Sequence, residues 1–544
     1  MVVKKPRIVI IGAGMAGLVA ANKLYTSPGT KEAFELCIVE GGNRIGGRIL
    51  TSEIGGDRIE MGATWIHGIG GSPVYKIAEE IGALDSKQPW EHKDGYPKDL
   101  LTVAEGGLVL DSLSIVEPVS NLYRNLMDYA QGKLVEGSET YKKNSSISNG
   151  YSDKLSIGSF LRKGLEAYWN SAKSDGKMMK VVSGQRSLEE AVFAMHENEE
   201  RAHTSAGELS DLDYNAESEY KEFPDEEITI AKGYLRIIES LASVLPSGLI
   251  QLGRKVKKIE WKDENEAKEM ENGYGSRPVK LHFDDGSITV ADHVIVTVSL
   301  GVLKAGIRDE PSSGMFFSPP LPSFKRDAIS RLGFGIVNKL FLELNPTCDH
   351  KSFPNLQMAF HSSSSELRQQ EIPWWMRRTA SLSPIYNNSS VLLSWFAGKE
   401  ALELESLQDE EIINGISTTI SSFLPRKAVL KPQQCSNGSA KLVEPNSCNG
   451  VIKFATVVKS KWGTDPLFMG SYSYVAVGSS GKDLDSMAEP LPTIKSNDSY
   501  ASTTHPLQIL FAGEATHRTH YSTTHGAYFS GEREANRILK YYNL

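Results

Sequence analysis

A chain of 544 residues is too long for one compact core, so two domains are expected. Hydrophobic residues at 40% and charged residues at 23% describe an ordinary soluble globular protein. A net charge of −8, with no basic stretch able to follow a phosphate backbone, excludes nucleic acid as the main partner and suits a cationic one.

In chain order, the apolar run Ile8-Val9-Ile10-Ile11 breaks into Gly12-Ala13-Gly14-Met15-Ala16-Gly17 and then into a helical pattern from Leu18 to Leu24. That is strand, tight turn, helix. The first glycine permits the turn, the second lets backbone approach a pyrophosphate, and the third lets helix pack on strand, with the helix N-terminus facing the phosphates. A second apolar run, 34–39, ends in Glu40, whose carboxylate can accept from both ribose hydroxyls of an adenosine and would repel a 2′-phosphate. These features together predict dinucleotide binding. Gly41-Gly42-Asn43-Arg44-Ile45-Gly46-Gly47-Arg48 then sets two guanidiniums on a glycine-rich loop, each a fork of donors suited to phosphate oxygens and to the polar edge of a flavin. Glu60-Met61-Gly62-Ala63-Thr64-Trp65-Ile66-His67-Gly68 follows.

These motifs resemble the flavin-dependent amine oxidase family across essentially the whole chain. The run Ala63-Thr64-Trp65-Ile66-His67-Gly68, with His67 where some extracellular plant members carry Glu, is similar to the polyamine oxidases that act on spermine, thermospermine and acetylated polyamines. The fold this implies is α/β and α+β: a discontinuous Rossmann-like FAD-binding domain and a substrate domain of mainly antiparallel sheet flanked by helices.

The rest of the chain is read against that division. Residues 1–84, 233–302 and 456–544 are expected in the FAD-binding domain, and 85–232 and 303–455 in the substrate domain. An amphipathic helix is predicted at 73–84, helical structure with polar interruptions at 85–183, and a helix at 188–202. The loosest interruption, 137–154, reads as a mobile surface loop. Residues 209–220 are acidic and lead through Asp225, Glu226 and Glu227. After a helix at 233–245 come strands at 250–252 and 254–261, a hairpin turning at Asp285-Gly286, an extension of a hairpin at 262–277, and a buried parallel strand at 293–298. Strands at 338–344 and 391–396 belong to a second, mostly antiparallel sheet, 426–449 reads as a disordered insertion, and the final helix runs from about 526 to 541.

Candidate functional residues follow. Phe511-Ala512-Gly513-Glu514 ends a strand and Thr524-His525-Gly526 begins a helix, whose dipole can stabilise negative charge on a reduced flavin. The resemblance implies that Glu514 contacts the FAD diphosphate-ribityl region and Thr524 the flavin edge, and it adds Gly12, Gly14, Ala16, Gly17, Glu40, Arg44, Gly47, Arg48, Gly62, Ala63, Thr64, Trp65, Val256, Trp462, Gly513 and Thr523 to the cofactor contacts. Lys325, after a proline-rich approach, is by base rate a solvated helix-start charge. The resemblance implies instead the lysine that holds a water against the flavin N5. His67 reads either as a hydrogen-bonded core residue or as a substrate-facing group that orients the amine or takes its proton.

Tyr472 resembles the aromatic wall of the family, and because Thr523 stands where some relatives have a second aromatic, a one-sided sandwich is expected, with Ser473 and Thr523 able to hydrogen-bond an amino group. Glu217 and Glu219 are candidates for holding a remote ammonium, although a charge run is usually a solvated face. His517, His520 and His525 lack a metal-ligand arrangement, and no metal is expected. Cys37, Cys348, Cys435 and Cys448 form no Cys-x-x-Cys pair, so no disulfide framework is expected. With no long apolar run, Lys4 and Lys5 just before the first strand and no terminal Ser-Lys-Leu, a cytosolic protein without a membrane partner is the expectation.

The reaction implied is FAD-dependent oxidation of a secondary amine in a polyamine, then imine hydrolysis to a shorter polyamine and an aminoaldehyde, with oxygen or another acceptor taking the electrons. The alternatives are a flavoprotein acting on another amine, such as a peptidyl amine, and a non-catalytic FAD-binding interaction protein.

Overall fold

A computed structural model of the chain describes residues 5–91, 99–134, 155–174, 183–262, 277–308, 316–345, 353–424, 452–492 and 506–544. The loop at 137–154, the hairpin extension between 262 and 277, the insertion at 426–449, and Cys348, Cys435 and Cys448 lie outside the described residues. Cys37 carries a free thiol.

Strands β1 (Arg7–Ile11), β2 (Glu35–Val39), β3 (Ile250–Gln251), β4 (His293–Val296) and β5 (Ile509–Phe511) form one sheet in the order β5-β4-β1-β2-β3. Every pairing in it is parallel, with Ile8 opposite both Leu36 and His293, and Val296 opposite Phe511. The β-branched runs of β1 and β4 are buried on both faces, as a parallel sheet between covering layers requires.

The helices include α1 (Met15–Thr26), α2 (Glu117–Ala130), α3 (Ser183–Thr204), α4 (Ser323–Arg331), α5 (Gly481–Ala488) and α6 (Thr524–Tyr541). Helices α1 and α6 cover one face of the sheet and share a core with Ile8, Ile10 and Ile38. They approach so closely that a Cβ at Gly531 would overlap the Ala16 carbonyl. The sequence of β1, the turn and α1 therefore folds as strand, turn and helix, and the C-terminal helix locks it.

The second sheet has seven strands in the order 454–459, 337–344, 391–397, 381–384, 355–359, 100–104, 108–109. Its pairings are antiparallel except between Asn355–Ala359 and Leu100–Ala104. The sequence reading misses the two strands at 100–109 inside a stretch read as helical. A short apolar run does not declare its period, and the turn signal that separates them is Gly106-Gly107, both at positive φ (93° and 85°). The boundary drawn at 455/456 falls inside Phe454–Lys459, which pairs with Val337–Leu344 in this sheet. The hairpin at Asp285-Gly286 is present, joining Val279–Phe283 to Ile288–Ala291.

Among the described residues no helix is long and apolar enough to cross a membrane, and no group of three or more His, Cys, Asp or Glu side chains is placed to hold a metal ion.

Candidate active site

A cavity of about 550 Å³ is lined by residues of the parallel sheet, of the seven-stranded sheet and of helix α3. At its nucleotide end, Gly12 sits at φ +107°, and a Cβ there would overlap the Thr297 hydroxyl. Gly14 and Ala16 line the cavity, and Gly17 lies beneath it against the Gly12 carbonyl. Gly14 is also the N-cap of α1 and brings no capping side chain, so the helix N-terminus is open to a phosphate. Glu40 lines the cavity with Val256; its carboxylate accepts from the amides of Ala13 (2.8 Å) and Gly42 (2.7 Å), which fixes it at the end of β2.

The two arginines divide. Arg48 lines the cavity with Gly47, donating to Glu514 Oε1 at 2.9 Å and to the Ser471 carbonyl at 2.8 Å. Arg44 does not reach it: its guanidinium donates to the carbonyls of Gly47, Ile45 and Ile49 and shapes the loop from behind. Glu514 is buried and also accepts from Ser473 Oγ (2.5 Å) and the Ser522 amide (2.9 Å). Ser473 is thereby committed to Glu514 and does not line the cavity, contrary to its expected role toward an amino group.

In the middle of the cavity Gly62, Ala63, Thr64 and Trp65 form one wall and Gly513, Thr523 and Thr524 another. Trp462 closes it, its indole N–H donating to the Met61 carbonyl at 3.0 Å. Thr523 Oγ1 accepts from the Gly526 amide at 3.0 Å, so it caps α6 and the helix N-terminus meets the cavity. Trp65 stacks on Trp395 with centroids 5.3 Å apart, and its indole N–H is buried without a partner among the described residues.

The lysine of the site is Lys339, not Lys325. Lys339 projects from the long strand of the second sheet into the cavity wall, where its Nζ donates to the Glu60 carbonyl at 2.6 Å and to Thr64 Oγ1 and stands 4.3 Å from the Trp395 ring centroid. Burial lowers its pKa, and the nearby Glu91 and Glu60 carboxylates work in the opposite direction. Lys325 is 0% exposed and lies outside the cavity. Its Nζ donates to the carbonyls of Ser486 (2.8 Å), Met487 (2.9 Å) and Glu489 (2.7 Å), the orphan acceptors at the C-terminus of α5. The reading failed because a lysine at a helix start was matched by its proline-rich flank. The signal for Lys339 is a lone cation in a strand, 337–344, whose other residues are apolar except Asn338 and Glu343.

At the opposite end from the nucleotide cradle stands a carboxyl wall. His67 Nδ1 lies 2.8 Å from Glu227 Oε1; burial works to raise the Glu227 carboxyl, and its bond and attraction to His67 override this and hold it below its usual range. Glu217 is 6% exposed, and burial, then the Glu200 charge, push it up to about 8 against a hydrogen bond from Gln131. Burial and the neighbouring Glu199 raise Glu200 to about 7. Glu199, Glu200 and Glu222 line the cavity with Glu217; sequence does not single them out, because which face of α3 and of the following segment meets the cavity is set only by packing. Glu219 does not join them; it pairs with Arg518 at 2.9 Å. Tyr472 and Thr523 both line the cavity, Tyr472 fixed by donating to the Ala202 carbonyl, and Tyr220 and Tyr521, edge to face at 5.2 Å, extend the aromatic surface beyond the one-sided arrangement expected.

The residues fit FAD on geometric grounds: a glycine cradle at an uncapped helix N-terminus, a carboxylate at the end of β2, Arg48 paired with a buried Glu514 and an orphaned indole donor surround one cavity. The family model described as flavin containing amine oxidoreductase matches residues 15–539. The chain is 56% identical over 99% of its length, and 99% of the relative's, to "Probable polyamine oxidase 5" of Arabidopsis thaliana. It is 45% identical to "Polyamine oxidase 1" of Oryza sativa subsp. japonica, covering 100% of this chain and 98% of that one. It is 31% identical to the human "Peroxisomal N(1)-acetyl-spermine/spermidine oxidase", covering 98% and 95%. A match of this extent, on a fold and a cavity that already suit the cofactor, makes the chain a member of the flavin-containing amine oxidoreductase family.

Proposed function

We propose that the protein is an FAD-dependent polyamine oxidase that oxidises a secondary amine of a spermine-like or thermospermine-like substrate. The observation that carries this reading is the carboxyl wall in the same cavity as Lys339 and the Arg48–Glu514 pair: Glu217 and Glu200 stand where the remote ammonium groups of a linear polycation can lie while a secondary nitrogen reaches the middle of the cavity. Bound FAD supplies the acceptor for a hydride from the carbon beside that nitrogen and delivers the electrons to oxygen.

The chain's own residues prepare this step. The amine must lose its proton first, and His67, oriented by Glu227, is placed to take it through its ring. Tyr472, held by the Ala202 carbonyl, offers an aromatic face to the aliphatic and cationic segments of the chain. Lys339, its ammonium destabilised by burial, can exchange a proton at neutral pH while its other donors stay fixed on Glu60 and Thr64. The N-terminus of α6 adds a positive dipole to the cavity.

Anaerobic mixing of the purified holoprotein with spermine, thermospermine and N-acetylspermine, followed by flavin absorbance and then admission of oxygen, tests the reading. Bleaching by at least one of these amines, reversed by oxygen, is expected. Absorbance unchanged by all of them would remove polyamines as the substrate class.

A further inference from the structure

The carboxyl wall ends in a cation of the chain's own. Helix α2 closes with Gln131 and Gly132, the latter at φ 70°, and the Lys133 amide donates to the Asp128 carbonyl at 2.8 Å. This turn puts Gln131 into the cavity against Glu217 and brings Lys133 Nζ to 2.9 Å from Glu222 Oε2. Glu222 lines the cavity, whereas Lys133, 49% exposed, is not among its lining residues. The two charges act in opposite directions on the same carboxyls: Glu222 raises Glu200 and Glu217, and Lys133 lowers both, as well as Glu227. Lys133 therefore holds, from outside the cavity, a carboxylate of the wall that a polycation would use.

We propose, resting on the polyamine reading above, that Lys133 is a specificity-determining residue: its ammonium occupies the Glu222 carboxylate and so limits how many substrate ammonium groups the wall accepts. A substrate with a charged distal end has to displace Lys133 or stop short of Glu222. A substrate whose distal end is uncharged, as after acylation, meets no such competition. The pair is half-exposed, so its effect is modest and screened by salt.

The test is anaerobic isothermal titration calorimetry of the holoenzyme with two probes that lack a secondary nitrogen, a long linear α,ω-diaminoalkane and the n-alkylamine of equal length. In Lys133→Met the diamine is expected to bind about threefold to tenfold more tightly, the size of one partly exposed charge interaction. The monoamine should change much less, Lys133→Arg should match the parent protein, and raised salt should erase the difference. Equal tightening of both probes, no change, or weaker diamine binding in Lys133→Met overturns the proposal. Failure of the parent holoenzyme to bind either probe overturns the polyamine reading itself, and this inference with it.

Discussion

Among the described residues Lys325 and Lys339 are both buried, and they do different work. Lys325 completes a helix C-terminus by filling three carbonyls, whereas Lys339 stands in the cavity wall with its ammonium over Trp395. Replacing Lys325 by Met leaves those acceptors unpaired in a dry environment, at a cost of about 3 kcal/mol or more, and should lower the Tm while the folded enzyme keeps its rate of reaction with oxygen. Lys339→Met should do the reverse, slowing reoxidation at least about tenfold, as loss of a positioned proton donor does. Stopped-flow oxidation of the reduced variants beside thermal melts distinguishes the two; a slow Lys325→Met with normal Lys339→Met would assign the reaction with oxygen to Lys325 instead. Lys325 was legible as buried or solvated only by knowing that α5 ends beside it. In contrast Gly12, Glu40 and Arg48 were legible because their roles follow from a local strand, turn and helix.

The carboxyl wall arises from packed elements, since α3 and the segment 215–227 supply its carboxyls and Gln131, just after α2, supports Glu217. No spacing in the chain announces that Glu200 and Glu217 share a site; burial and mutual repulsion arise only once the elements pack. The acidic segment was recognised, but its face was not: of the pair Glu217 and Glu219, one points into the cavity and the other to Arg518. Because folded Glu217 holds its proton up to about pH 8 and an unfolded glutamate releases it near about pH 4.3, the folded state binds the extra proton across that interval. Its contribution to stability is complete below the lower value and is lost as pH rises to the upper. Glu217→Gln should flatten this fall. A bound polycation favours the ionised carboxyl, so binding should release protons near neutral pH and release fewer in Glu217→Gln. Calorimetry in buffers of different ionisation enthalpy measures this, and equal release by both proteins would sink the assignment.

For the molecule as a whole, the cavity sits where two sheets and separated stretches of chain meet, so its ligand ties them together. Stripping FAD should lower the Tm, and adding it back should restore stability in proportion to the logarithm of its free concentration; an apoprotein melting at the same temperature as the holoprotein would contradict the placement of the cofactor. The parallel sheet takes β1 and β2 from the start of the chain, β3 and β4 from its middle and β5 from near its end, and α1 packs on α6. During synthesis the glycine turn leaves the ribosome about half a minute or more before the helix that packs on it, at ordinary elongation rates. The nucleotide cradle is therefore incomplete until α6 has been made, and the glycine turn and α1 by themselves are not expected to retain the cofactor.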